Sequence, residues 1–186
     1  MLSQFKKIIK AIFISGALLT PFGVSAQKMD TQQVDGFTNE VTIFTTTETF
    51  ASTTTGDNLV AYFARTGDTA YRLHIGCNLL TENNGYYRVS KGSHILLKLA
   101  DNSLITLTVV QDVEASVQTL REGYYTNQYW AISMPIYVSR DDIYKISQAD
   151  FTGARVEADG KYIDFGMKPK ESLMLNKLAA LILSQK

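Results

Sequence analysis

The chain has one cysteine, three prolines, two histidines and one tryptophan in 186 residues. Cys77 has no partner within the chain, so an intramolecular disulfide is excluded and stability must come from a hydrophobic core. So few prolines exclude a Pro-rich linker. Beyond residue 26 there is no Lys/Arg cluster, which argues against nucleic acid and against an anionic lipid surface as partners. No nucleophile elbow, phosphate loop or dinucleotide fingerprint is present. After the first 26 residues no apolar run is long enough to cross a bilayer.

Those first 26 residues are a separate object. Lys6, Lys7 and Lys10 form a basic start, and Ala11 to Leu19 is a short apolar run. Pro21 and Gly23 break it, and Val24-Ser25-Ala26 offers small residues for cleavage. This is the pattern of a secretory signal peptide, too short for a membrane span. Its removal takes three of the 18 basic residues and none of the 18 acidic ones, leaving a net charge of −3. A disulfide-free exported protein with this signal suits a bacterial periplasm or cell surface.

What the chain does have is β-branched and aromatic residues, with ten Tyr and nine Phe. Ile95, Leu97 and Leu99 alternate before Asp101-Asn102-Ser103, and Ile105, Leu107 and Val109 alternate after it. Period 2 on both sides of a turn predicts a β-hairpin, expected at the centre of an antiparallel core. Further strands are expected over 39–49, 59–65, 70–75, 112–120, 129–138, 154–158 and 161–165. Pro135 within the fifth of these predicts an edge, a bulge or an end of pairing. Asp159-Gly160 predicts a type I′ turn between the last two.

Ser139 followed by Asp141 and Asp142 predicts a capped short helix after Val138, with Ile143, Ile146 and Tyr144 inward. Pro169 at a first helical position, then Met174, Leu175, Leu178, Leu181 and Ile182 at 3.6-residue spacing, predict a C-terminal helix over 169–184. Residues 27–38 are polar and aperiodic, read as a flexible lead, and 39–186 as one domain. The expected fold is mainly β: an antiparallel β-sandwich, immunoglobulin-like or related, closed by the C-terminal helix. The alternative is a β-barrel capped by that helix.

Two stretches carry a resemblance. One is Gly92 to Leu99 (GSHILLKL) with Asp101-Asn102-Ser103 and Ile105-Thr106-Leu107. The other is Pro135 to Ile143 (PIYVSRDDI) leading to Ala154-Arg155-Val156-Glu157. Together they resemble small secreted β-sandwich proteins of Gram-negative gut-type bacteria. The likeness covers roughly the second half of the chain and rests on patterning. It implies the sandwich and an envelope location and brings no catalytic residues.

Candidate chemistry is sparse. His74-x-x-Cys77 has the spacing of a ligand pair, but strand alternation aims the two residues at opposite faces, so no metal site or cofactor is expected. Cys77 reads as a small buried apolar residue. Asp141 and Asp142 read as helix-capping acids, and Glu114 and Glu122 flank a segment of undefined geometry. The most suggestive cluster is Tyr124, Tyr125, Tyr129 and Trp130, extended by Tyr86 and Tyr87. Aromatic rings on loops at a sandwich end stack on sugar faces. Tyr124 and Tyr125 are expected in a loop over 121–128. Tyr129 and Trp130 are better read as strand residues, one in the core and one on the sheet.

The leading expectation is therefore an exported, non-catalytic binding or interaction module of the envelope. Its ligand would be a glycan or another envelope protein, with those four aromatics as the binding residues. The alternatives are a small envelope hydrolase, which needs two facing carboxylates or His94 beside Cys77, and a carrier with an interior void for an apolar ligand.

Overall fold

The computed structural model describes residues 29–80, 87–122 and 125–185. Strands β1 (Met29–Val34), β2 (Val41–Thr45), β3 (Glu48–Ser52), β4 (Asn58–Thr66) and β5 (Ala70–Leu80) come first. They are followed by β6 (Arg88–Val89), β7 (His94–Leu99), β8 (Leu104–Thr108), β9 (Val113–Glu114), β10 (Ser116–Glu122) and β11 (Tyr125–Tyr137). Helix α1 (Arg140–Gln148), β12 (Phe151–Ala158), β13 (Lys161–Gly166) and helix α2 (Pro169–Ser184) complete the chain.

The strands pair in the order β10-β11-β5-β4-β3-β13-β12-β7-β8, with β2 also on β4, and β1 on β2. All pairings are antiparallel. One residue pair, Gly166 opposite Ser52, joins β13 to β3. The sheet turns there, and its two halves face each other as a sandwich. Phe50, Leu59, Phe63, Leu73, Ile75 and Ile132 from one half meet Ile95, Leu97, Phe151 and Val156 from the other in a single core. At the far side the Val110 amide donates to the Pro135 carbonyl at 3.2 Å. No closed barrel forms among the described residues.

Pro135 sits opposite His74 of β5, and its carbonyl points away from β5, toward Val110. A residue's N–H and C=O lie on the same side of a strand. The missing donor therefore faces this seam, four residues past the end of pairing with β10 at Ala131, and costs the β5 ladder nothing.

Three expectations change. The β7–β8 hairpin is present with its turn at Asn102, whose φ is 66°, but it ends the pairing order instead of occupying its centre. The stretch read as a flexible lead contains β1, whose polar residues pair with β2 and so leave no apolar alternation. The expected loop over 121–128 is a hairpin: Glu122 pairs with Tyr125, and the ladder runs on to Ser116 opposite Ala131. Tyr and Thr in that stretch favour extended backbone, which outweighs its polarity.

The helices follow their sequence signals. Ser139 Oγ accepts from the Asp142 amide at 3.1 Å, and Asp142 Oδ2 accepts from the Ser139 amide at 3.2 Å, a closed capping box. Ile143 and Ile146 are buried, while Tyr144 faces solvent instead of the core. Helix α2 buries Leu175, Leu178, Ala179 and Ile182, and packs on α1, β3 and β4. Met174 and Leu181 of the expected stripe are half-buried. Asn176 Nδ2 donates to the Ile146 and Ala149 carbonyls at 2.8 and 2.7 Å, satisfying the end of α1. Arg65 ends the inward row of β4 and donates through Nη1 to the Gln185 carbonyl at 2.6 Å, placing a cation at the negative end of α2. Among the described residues no helix is long and apolar enough to cross a membrane.

Candidate functional site

Strand β11 is longer than its neighbour. Nine of its 13 residues, Tyr129 to Tyr137, pair with β5. Among the described residues the first four, Tyr125 to Gln128, pair only with β10. Strands β10 and β11 therefore run past Leu80, the end of β5, as a two-stranded ribbon. Among the described residues β10 ends the sheet, and one side of it has no strand neighbour. Its described side chains, Ser116, Val117, Gln118 and Thr119, are all exposed.

Three of the aromatic residues named from the sequence, Tyr125, Tyr129 and Trp130, lie on β11. Tyr125 opens β11 opposite Glu122. Tyr129 is half-buried between Gln118 on one side and Leu80 on the other. Trp130, opposite Val117 and Leu79, is half-buried and packs on the core. Neighbouring residues of a strand point to opposite faces, so Tyr129 is on the outer sheet face and Trp130 on the inner. Tyr124 and Tyr86 lie outside the described residues. Tyr87 is half-buried against the core and sits before β6, away from the ribbon's own strands.

A row not visible in the sequence crosses the base of the ribbon. Leu79, Trp130 and Val117 are direct partners on β5, β11 and β10. Leu79 is 4% exposed and Val117 is 47% exposed. The inner, apolar face of the sheet thus continues outward past the edge of the core. The sequence predicts one strand over 112–120. The strand instead breaks at Ala115, between β9 and β10, and releases Val117 to solvent.

The outer face of β4, β5 and β11 carries a different aromatic group. His74 stacks on Tyr62 with ring centroids 4.6 Å apart and planes 5° from parallel. Phe44 leans on the far side of Tyr62 at 6.3 Å, and Pro135 is the cross-strand partner of His74. The ring faces are turned toward one another, which gives cross-strand packing in place of an open stacking platform. Burial, then the Arg72 charge, holds the His74 imidazole below its ordinary range. Arg72 lies 5.7 Å over the ring of Tyr137.

Cys77 points the other way, into the core, with no exposed surface. Burial, with the Asp57 charge behind it, pushes its thiol up to about 12, so it is neither nucleophilic nor placed to cross-link chains. His94 is on the other half of the sandwich, with Nδ1 3.4 Å from Thr108 Oγ1. It is not beside Cys77. Asp142 belongs to the capping box, and Ser139's bonds hold its carboxyl below the usual range. Glu114 is exposed on β9 opposite Arg88. Among the described residues no group of three or more His, Cys, Asp or Glu side chains is placed to hold a metal.

The chain matches no protein-family model, no curated protein and no solved structure.

Proposed function

We propose that the protein is a non-catalytic binding module exported to the bacterial envelope, and that it engages an extended segment of a partner protein along β10. The observation that carries this reading is the row Leu79–Trp130–Val117, in which an apolar face leaves the core and ends exposed on a strand whose second edge has no partner strand among the described residues. An isolated two-stranded ribbon is marginal in water, and an open edge is a template for a further strand. A partner strand on β10 satisfies the free backbone groups and covers Val117, with main-chain bonds giving affinity and side-chain pockets giving selectivity. The basic and apolar pattern of the first 26 residues supports export.

Selection of displayed random peptides on the full-length protein tests the reading. The selected peptides are expected to bind the wild type and the exposed-helix variant Tyr144→Ala, and to lose binding to Val117→Lys/Gln118→Lys, which charges both faces of the edge. Trp130, the only tryptophan, is the direct partner of Val117, so its emission should shift on binding. Peptides that bind the doubly charged variant unchanged would refute strand addition. Tyr129, on the outer face at the base of the ribbon, supports a second reading, a glycan ligand. Oligosaccharide binding that is lost in Tyr129→Ala and retained in Val117→Lys/Gln118→Lys would select it.

A further inference from the structure

The outer face of the second half-sheet carries a feature separate from the ribbon. Register places Leu104, Lys98 and Gly153 in one row across β8, β7 and β12. Thr106, Leu96, Arg155 and Asp164 form the next row. Gly153 faces a second glycine, Gly166, on β13. Two glycines side by side leave bare backbone where adjacent rows carry side chains. A Cβ on Gly153 would come within 3.1 Å of the Phe165 carbonyl oxygen, so even alanine there requires movement. The result is an open groove of about 370 Å³, floored by Gly153 and bordered by Leu96, Leu104, Lys98 and the Arg155–Asp164 pair. That is the size range of small-molecule sites.

The charges of the groove do not cancel. Arg155 donates through Nε to Asp164 Oδ1 at 2.5 Å and through Nη2 to Oδ2 at 2.8 Å. This fork holds the Asp164 carboxyl below its usual range and leaves Nη1 outside the pair. Lys98 is exposed, and among the described residues no acid pairs with it. One uncompensated positive charge therefore sits beside two leucine side chains, with Leu104 56% exposed.

We propose that this groove binds an amphipathic monoanion, an aliphatic carboxylate whose chain lies on Leu96 and Leu104 over Gly153 and whose head meets Lys98 and Arg155 Nη1. The charge selects the anion, the leucines select an apolar body, and the glycine floor admits it against the backbone. A bulkier floor or an acid at position 98 removes one of these three conditions.

The test is a titration of the full-length, ¹⁵N-labelled protein with decanoate and with decanol, followed by amide chemical shifts. Decanoate is expected to move the amides of Leu96, Lys98, Leu104, Gly153 and Arg155, and decanol to bind about tenfold more weakly or less, the scale of one lost charge-assisted bond. Lys98→Glu, at an exposed position, is expected to weaken decanoate by at least about tenfold. Leu104→Asp provides a second solvent-facing variant with the same expected loss. Equal binding of decanol, undiminished binding to both variants, or shifts that avoid these amides would each overturn the assignment.

Discussion

His74 shows how one side chain reports on its sheet. Its ring stacks on Tyr62 on the outer face, with Pro135 as its cross-strand partner on β11, and its protonated form is disfavoured there by burial and by Arg72. The unfolded chain restores its pKa to about 6.5, so between the depressed folded value and 6.5 the unfolded state binds more protons. The stability it contributes is complete above that upper limit and is lost as pH falls through the folded value. Thermal melts at pH 5.5 and 7.5 should show a drop at the lower pH that is smaller in His74→Phe, which keeps a ring in the stack. An equal drop in both proteins would mean that the imidazole is not shielded as described.

At the scale of elements, helix α2 links the two halves of the sandwich. Leu178 is fully buried beneath it, and Leu173, on the same helix, is 53% exposed. Leu178→Ala should cost about 2–5 kcal/mol in denaturant unfolding, and Leu173→Ala within about 0.5 kcal/mol of nothing. Similar losses in the two variants would contradict the docking of this face. Both helices were legible because local signals specify them: Ser139 and Asp142 for the start of α1, Pro169 and the Leu175–Leu178–Ile182 spacing for α2. The strands with apolar alternation, such as β4 and β7, were legible for the same reason. The polar strand β1 was not, since its pairing with β2 stands in for an apolar face. The Tyr125 strand was hidden by polar neighbours such as Thr126, Asn127 and Gln128. The Leu79–Trp130–Val117 row and the Lys98–Gly153 row depend on register between strands far apart in the chain, which no local pattern encodes.

For the whole molecule, the sandwich is closed at one side by the single Ser52–Gly166 pair with α2 over it, and at the other by Val110 on Pro135. Among the described residues the ribbon of β10 and β11 runs past the end of β5, with Tyr125 on it and Tyr129 and Trp130 at its base. In the proposed function this ribbon is where the protein meets its partner. Site-directed photocrosslinking in the cells that make the protein tests it most directly, with a photoreactive residue at Val117 and, as the control, at Tyr144 on the exposed face of α1. A discrete adduct from position 117 and none from 144 is the predicted result. No adduct from 117, or the same adduct from both positions, would contradict it.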